Sequence, residues 1–251
     1  MLRTFSVLDV EVTDLTMEDA VDLLERLILE SDERCRSIYF VNTHTLNTAT
    51  DDADYRSVLK RGDYVFGDGT GVRWATRFLH GERLQDNVNG TDLTPKFFAD
   101  TAGKGYRYYL LGTREDTIGR SAERARQMFS GWDQVGYHHG YVQDPAASAE
   151  VIADINEKRP HMLLVGMGNP LQERWIDRYQ SELKVPLAIA VGGLFDYWSG
   201  ELERAPAWVR GLGYEWLHLL IRQPHKARRY LLGNPQFLLR LAKARALAKL
   251  G

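Results

Sequence analysis

The stretch VFGDGTGVRW, residues 65–74, predicts how the rest of the chain is arranged. An apolar step ends at Gly67, a single carboxylate follows at Asp68, and an apolar pattern resumes from Val72 after Gly69. This order is typical of a strand end, a glycine turn and a helix start, because glycine adopts positive φ and lets a ligand come close. A helix N-terminus also offers unpaired N–H groups to an anion. Asp68 is therefore either a catalytic base beside the phosphates of a nucleotide or a cap of the helix.

Apolar runs and helical patterns alternate on both sides of this turn. One strand is predicted over residues 6–12, a helix after the capping-box start at Thr16, and a short helix over residues 51–60. Further strands are predicted over residues 37–41, 106–111, 134–137, 161–165 and 186–191, with helices at residues 115–129, 146–157 and 173–183. Such alternation indicates an α/β fold with a mainly parallel, Rossmann-like sheet and flanking helices.

Polar and glycine-rich clusters follow the predicted strands. In parallel sheets of this kind, ligands bind beyond the carboxyl ends of the strands. Five clusters fall there, at residues 42–45, 68, 112–113, 166–172 and 192–196, and a polar loop covers residues 84–93. From these clusters, the loop and a histidine pair at 138–139, we take as candidate substrate-binding residues Asn42, Thr43, Gly69, Asn89, Asp92, Gly112, His139, Gly168, Gln172, Gly193 and Asp196.

Gln172 and the histidine pair each leave more than one interpretation open. The amide of Gln172, in the first turn of a helix, could read a sugar hydroxyl or a uracil edge, or could lie on the surface. Glu173 beside it is interpreted as a first-turn acid favoured by the helix dipole. His138 and His139 have no obvious third metal ligand, so we expect a substrate hydrogen bond or a structural role rather than zinc.

The sequence contains no motif that holds a metal-bound diphosphate. An Asp-x-Asp pair at a strand end, a Gly-x-Gly-x-x-Gly fingerprint and a Walker lysine are all missing. We therefore predict a metal-independent mechanism with no cofactor. Positive charge for a diphosphate would come from backbone N–H groups and basic side chains, with Arg204, Arg228 and Arg229 as candidates.

Charge is distributed unevenly between the two parts of the chain. From residue 204 onward there are ten Lys or Arg and one acid, a formal charge of +9. Since the whole chain has a net charge of −2, the residues before 204 carry −11. The β/α alternation stops after residue 196, aromatic and basic residues interleave, and residues 237–250 predict a helix. We divide the chain into an α/β catalytic domain, residues 1–196, and a helical, basic, aromatic appendage, residues 197–251. The appendage suits an anionic membrane surface; a solvated helix, or a cap packed on the domain or on a second subunit, is the alternative.

Length and composition are those of an ordinary globular protein. The chain has 251 residues, of which 44% are hydrophobic, enough for a sizeable core. Its single cysteine, Cys35, excludes an intramolecular disulfide and suggests a reducing compartment. Since the sequence shows no apolar run of about 20 residues and no signal-peptide core, we expect a cytoplasmic protein. Oligomeric state is open, and we expect no nucleic-acid partner.

Several blocks together resemble one family. They are FGDGTGV (66–72), NGTDL (89–93), HHGY (138–141), GMGNPLQERWI (166–176), VGGLFD (191–196), RAP (204–206) and GYEWL (213–217). In this order they are similar to the WecG/TagA/CpsF glycosyltransferases over nearly the whole chain. Asn87 stands where that family commonly has arginine, and Arg83 lies a few residues before it.

This resemblance implies a transferase that moves a sugar from a UDP-sugar to a polyprenyl-diphosphate-linked sugar at the cytoplasmic membrane face, in cell-surface polysaccharide synthesis. It implies inversion at the anomeric carbon without a metal, with Asp68 as the base that deprotonates the acceptor hydroxyl. Asn42 and Gln172 match family positions near the donor, and the appendage resembles a segment that docks on the membrane and closes the active site. A nucleotide-sugar hydrolase and a nucleotide-binding regulatory module are the alternative hypotheses.

Overall fold

The sheet has the predicted mainly parallel architecture. A computed structural model describes residues 2–30, 34–203 and 227–248. Its strands are β1 (Thr4–Val7), β2 (Val10–Thr13), β3 (Arg36–Val41), β4 (Tyr64–Gly67), β5 (Arg107–Gly112), β6 (Asp133–His138), β7 (Met162–Gly166) and β8 (Leu187–Ala190). They form one eight-stranded sheet in the order β1-β2-β4-β3-β8-β7-β5-β6. Only β1 and β2 pair antiparallel, so the α/β prediction is confirmed.

Helices cover both faces of this sheet. In the described part of the chain they are α1 (Met17–Leu29), α2 (Thr43–Asp51), α3 (Ala53–Arg61), α4 (Thr70–His80), α5 (Gly90–Asp100), α6 (Glu115–Met128), α7 (Pro145–Lys158), α8 (Leu171–Tyr179), α9 (Leu194–Trp198) and α10 (Ala227–Ala248). Helix α1 begins with the predicted capping box, in which Thr16 and Asp19 exchange hydrogen bonds. The helix predicted near the C-terminus is present as α10, and the one predicted to end at residue 183 ends at Tyr179.

The single strand predicted over residues 6–12 is wrong, because the chain reverses there. β1 and β2 are joined by a two-residue turn in which Leu8 and Asp9 both have positive φ, 50° and 69°. Two-residue hairpins of this kind usually carry Asn-Gly or Asp-Gly. Since Leu8 extends the apolar pattern of Val7 and Val10, the turn has no such signal in the sequence.

The helix predicted over residues 51–60 is present as α3, and a further helix, α2, ends where it begins. Asp52, with φ of −123°, ends α2 and caps α3 by accepting a hydrogen bond from the Tyr55 N–H. Helix α2 therefore starts within the polar cluster at residues 42–45. The consequence for the site is that this cluster is a helix N-terminus rather than a loop.

Alternate strand residues supply two cores, one on each face of the sheet. Tyr39 and Tyr109 pack with the apolar sides of α2, α3, α4, α7, α8 and α10. Ile38 and Tyr108 point the other way and pack with α1, α5, α6 and α9. The strands are thus buried on both faces, as parallel strands between helical layers are.

The C-terminal helix is attached to the α/β layer. Helix α10 packs on α2 and α4, with Phe237 and Leu241 buried in the core. The domain boundary predicted after residue 196 falls within α9, and residues 204–226 of the predicted appendage lie outside the described residues. Among the described helices, none combines the length and the apolar content needed to span a bilayer.

Phe98 lies at the centre of an aromatic cluster on the α5 face. Its ring centroid is 4.8 Å from that of Tyr108, 4.3 Å from Phe129 and 4.8 Å from Trp132. We expect Phe98→Ala to lower the free energy of unfolding by about 3–5 kcal/mol, because the surrounding rings cannot fill the space left. Urea denaturation followed by tryptophan fluorescence measures this.

The control for this prediction is Leu29→Ala, at a side chain that is 66% exposed at the end of α1. It should change the free energy of unfolding by less than about 0.5 kcal/mol. Equal effects of the two substitutions would contradict the assignment of the aromatic cluster as core.

Candidate functional site

Asp68 and Asn42 meet at the ends of two neighbouring parallel strands. β3 and β4 pair in register, with Val41 opposite Gly67, so the residues that follow leave the sheet together. The Asp68 N–H donates to the Val41 carbonyl at 2.8 Å. Asn42 Nδ2 donates to Asp68 Oδ2 at 3.5 Å. A half-buried carboxylate is therefore held beside an amide at the carboxyl edge of the sheet.

Asp68 does not cap the following helix, so that interpretation is wrong. Helix α4 starts at Thr70, its N-cap is Gly69, and no side-chain cap hydrogen bond is present there. Gly69 has a φ of 96°, a backbone conformation that residues with a side chain rarely adopt. Its N–H donates to Asn87 Oδ1 at 2.5 Å. Gly69 thus occupies the N-cap position that the capping interpretation gave to Asp68, and Asn87 holds the turn in place.

Asn42 is oriented by the helix that it caps. Its Oδ1 accepts hydrogen bonds from the N–H groups of His44 and Thr45, each at 3.1 Å. This leaves Nδ2 to face Asp68. Thr43 Oγ1 donates to Asn234 Oδ1 of α10 at 3.2 Å. Two predicted site residues, Asn42 and Thr43, therefore connect the carboxylate to the C-terminal helix.

Asn89 and Asp92 form the start of α5. Asn89 Oδ1 accepts from the Asp92 N–H at 2.9 Å, and Asn89 Nδ2 donates to Asp92 Oδ2 at 2.7 Å. Asn89 is buried at 5% exposure. The structure gives the Asn89 side chain a capping role with Asp92 as its hydrogen-bond partner, and any contact of either residue with a substrate stays a prediction.

A second group of predicted residues meets where β5 and β7 end. Gly112 lies so close to β7 that a Cβ there would be 2.2 Å from the Gly166 carbonyl oxygen. The next residue, Thr113, donates its N–H to that oxygen at 2.8 Å and its hydroxyl to Asp196 Oδ1 at 3.4 Å. The chain leaves β5 toward β6 on one side and leaves β7 toward β8 on the other. The strand order therefore reverses between β5 and β7, and ligands of α/β proteins bind at such points.

The histidine pair makes local hydrogen bonds. His139 Nδ1 accepts from the Tyr141 N–H at 3.3 Å, and His138 Nδ1 lies 2.9 Å from the His139 carbonyl. Both side chains are half-buried. Across residues 2–30, 34–203 and 227–248, no group of three or more His, Cys, Asp or Glu is arranged to hold a metal ion.

Gln172 is not on the surface, so that alternative is wrong. It is 2% exposed, and its Oε1 accepts hydrogen bonds from the N–H groups of Gly168 at 3.2 Å and Gly192 at 3.0 Å. These two glycines lie in the loops after β7 and β8. The Gln172 side chain therefore connects two adjacent strand-end loops. Gly193, next to Gly192, is exposed and is the N-cap of α9.

Glu173 departs from the prediction of an acid favoured by the helix dipole. Its side chain is fully buried, and burial raises its pKa to about 7 from an ordinary 4.5, against hydrogen bonds that lower it. Oε1 accepts from Gln172 Nε2 at 2.8 Å and from Asn169 Nδ2 at 2.5 Å. Oε2 and the hydroxyl of Tyr55 are both buried without a hydrogen bond of normal geometry in the described chain. Desolvation thus outweighs the dipole.

The side chains of the three arginines predicted to hold a diphosphate lie outside the described part of the structure. Arg204 lies outside the described residues, and the side chains of Arg228 and Arg229 in α10 do as well. Conversely, Asn87, Thr113 and Asn169 contribute to the site without having been predicted as site residues. Thr113 and Asn169 lie next to glycines at strand ends, and Asn87 lies in the polar loop at residues 84–93, so their positions are the signal that could have indicated them.

Glu173 should make stability fall as the pH rises between about 4.5 and 7. Its folded pKa of about 7 exceeds the ordinary 4.5, so the folded protein holds a proton that the unfolded chain has lost. The contribution is complete below pH 4.5 and is lost as the pH passes the folded pKa, a total of about 3 kcal/mol.

The matched variant is Glu173→Gln, whose side chain cannot ionise. Urea denaturation of both proteins from about pH 5 to 8 measures the difference between their free energies of unfolding. That difference should grow in favour of the glutamine as the pH rises, and a pH-independent difference would contradict the burial of an ionisable Glu173.

Comparison with known proteins identifies the family. The family model described as "Glycosyl transferase WecG/TagA/CpsF family" matches residues 5–250. Two relatives carry the name N-acetylglucosaminyldiphosphoundecaprenol N-acetyl-beta-D-mannosaminyltransferase. The one from Bacillus subtilis (strain 168) is 30% identical over 243 residues, covering 96% of this chain and 92% of its own length. That from Staphylococcus aureus (strain MRSA252) is 26% identical over 239 residues, covering 95% and 92%. With α10 and all of the sheet except Thr4 inside the match, the chain belongs to the WecG/TagA/CpsF family of glycosyltransferases.

Proposed function

We propose that this glycosyltransferase moves a sugar from a UDP-sugar to a polyprenyl-diphosphate-linked sugar, with inversion and without a metal ion. The acceptor class rests on the relatives, whose names specify an N-acetylglucosaminyl-diphosphoundecaprenol acceptor. The observation that carries the mechanism is the pairing of Asp68 with Asn42 beside an uncapped helix start. The product would serve cell-surface polysaccharide synthesis.

Asp68 is the general base in this proposal. Its carboxylate takes the proton from the acceptor hydroxyl as the hydroxyl oxygen attacks the anomeric carbon of the donor. The bond from that carbon to the UDP oxygen breaks on the opposite face, so the configuration inverts. A base must lie about 3 Å from the proton that it removes, or reach it through one water. The hydrogen bond from Asn42 Nδ2 limits the rotation of the carboxylate and supports this alignment.

Backbone and basic groups would stabilise the departing diphosphate. Helix α4 has 11 residues and begins without a side-chain cap, so its first N–H groups and its dipole favour an anion near Gly69 and Thr70. The second group at the strand ends, with Gly112, Gly168, Gly193 and Asp196, is proposed to bind the remainder of the donor. Arg204, Arg228 and Arg229 are proposed to add charge from the appendage, while Asn89, Asp92 and His139 are proposed to contact substrate.

The C-terminal segment is proposed to dock on the inner face of the membrane. Helix α10 is hydrogen-bonded to α2 next to the site, through Thr43 to Asn234 and through Asn47 Nδ2 to the Gly233 carbonyl at 2.7 Å. Away from the core it exposes Leu231, Leu232, Leu238, Leu239 and Leu247. Leucines among Lys and Arg suit an interface with anionic lipid. A lipid-linked acceptor would then reach Asp68 from the side where the helix lies.

Transfer with a chelator present is the direct test of this function. The purified protein is incubated with a panel of UDP-sugars, a short-chain polyprenyl-diphosphate-GlcNAc analogue and EDTA, and the lipid is followed by mass. We expect a lipid product heavier by one sugar, formed equally well without EDTA. Free sugar and UDP without lipid product would indicate a hydrolase, and loss of product with EDTA would overturn metal independence.

Asp68→Asn tests the base. We expect kcat to fall by about a hundredfold or more, the range for loss of a general base, with the fold intact by circular dichroism. The control is Glu82→Gln, which changes an exposed carboxylate paired with Arg3 and should leave kcat unchanged. An Asp68→Asn enzyme with normal turnover would remove Asp68 from the mechanism.

A further inference from the structure

One carboxyl oxygen of Glu173 accepts hydrogen bonds from two side-chain amides. Its Oε1 accepts from Gln172 Nε2 at 2.8 Å and from Asn169 Nδ2 at 2.5 Å. All of this lies at the start of α8, where Gln172 and Glu173 are 2% and 0% exposed. An amide nitrogen donates and an amide oxygen accepts, so the carboxyl oxygen determines which end of the Gln172 amide faces it.

The orientation of the Gln172 amide determines which of its atoms meets two backbone N–H groups. With Nε2 turned to Glu173, Gln172 Oε1 points the other way and accepts from Gly168 at 3.2 Å and from Gly192 at 3.0 Å. The two glycines follow β7 and β8, which pair in register up to Val165 and Ala190. A reversed amide would place an NH₂ against two N–H donors. The loops therefore keep this geometry only while an acceptor occupies the Glu173 position.

We infer that Glu173 is a positioning residue for donor binding, which holds Gln172 so that the Gly168 and Gly192 loops keep the shape that receives the nucleotide sugar. This inference rests on the proposed function, since it takes these loops as part of the donor site. Glu173 itself touches no substrate. Its effect passes through Gln172, so it should alter the binding of the donor and not the deprotonation of the acceptor by Asp68.

Tyrosines from two other elements surround the Glu173 carboxyl and its backbone. Oε2 is the carboxyl oxygen that neither amide contacts, and the hydroxyl of Tyr55 in α3 interacts electrostatically with the Glu173 carboxyl and with Asn169. Tyr39 of β3 donates to the Glu173 backbone carbonyl at 3.4 Å. Beyond Tyr55 lies Arg174, 6.0 Å from the Tyr55 ring centroid and paired with Asp52 at 2.6 Å.

Burial raises the Glu173 pKa to about 7, so below neutral pH the carboxyl is protonated. A proton on Oε2 can be donated to the Tyr55 hydroxyl, which satisfies two atoms that otherwise have no partner. Oε1 stays free to accept from both amides, so the neutral acid still positions Gln172.

Three variants separate positioning from packing. Glu173→Leu keeps the volume and removes the acceptor, and we expect the KM for the UDP-sugar to rise about tenfold, as for one buried hydrogen bond lost, with kcat nearly unchanged. Glu173→Gln keeps an oxygen at the Oε1 position and should restore the KM to within about twofold. Tyr55→Phe removes the hydroxyl that interacts with the Glu173 carboxyl and should leave KM unchanged. An unchanged KM in Glu173→Leu, or a lower kcat with unchanged KM, would overturn the inference.

A measurement on the unmutated protein covers the case in which Glu173→Leu does not fold. In protein labelled with ¹⁵N-glycine, the Gly168 and Gly192 amide resonances should shift with pH around neutrality as Glu173 titrates. The geometry is kept, but the charge of the ionised carboxylate polarises the Gln172 amide to which these N–H groups donate. In Glu173→Gln the same resonances should not titrate. Resonances that do not move in the unmutated protein would show that Glu173 and these loops are uncoupled. This readout needs no turnover, so it is independent of whether the proposed transfer reaction is found.

Discussion

The parallel register between β3 and β4 is the constraint on which the site depends. Val41 lies opposite Gly67, and the ladder continues by one hydrogen bond, from the Asp68 N–H to the Val41 carbonyl. Because both strands stop at the same level, Asn42 and Asp68 leave the sheet side by side. A slip of one residue in either strand would send the Asp68 side chain to the opposite face. Backbone pairing therefore sets the position of the carboxylate before any side-chain contact adjusts it.

Much of this arrangement can be predicted from the sequence, because the strands are buried on both faces. Strands covered by helices on both faces are continuous apolar runs, and such runs end at the polar residues that form the edge of the site. Residues 37–41 and 161–165 could be recognised in this way, and so could the clusters at Asn42 and Asp68. Their proximity followed from topology alone, because the carboxyl ends of parallel strands share one edge.

The remainder depended on contacts that local pattern does not encode. The turn at Leu8 and Asp9 lacks glycine and asparagine, so the apolar alternation ran through it. Glu173 has the polarity of a surface residue, yet α8 places it on the face that packs against Tyr55 of α3, 118 residues earlier in the chain. Its burial and raised pKa are tertiary effects, as is the enclosure of Gln172 between two loops. Residue type alone predicts exposure for both.

Helix α10 contacts the two helices that begin at the site and exposes its other side. One side of it is core, with Phe237 and Leu241 buried, and the other exposes leucines. Arg240 donates to the Asn47 carbonyl at 2.6 Å, and the Arg245 guanidinium lies 4.6 Å from the Phe78 ring centroid, so the helix is fixed to both α2 and α4. These are the helices that begin beside Asn42 and Asp68. If the exposed leucines enter a bilayer as proposed, the same contacts set the height of the carboxylate above the lipid. A long-chain acceptor whose diphosphate stays at the surface would then present its sugar at the height of the carboxylate.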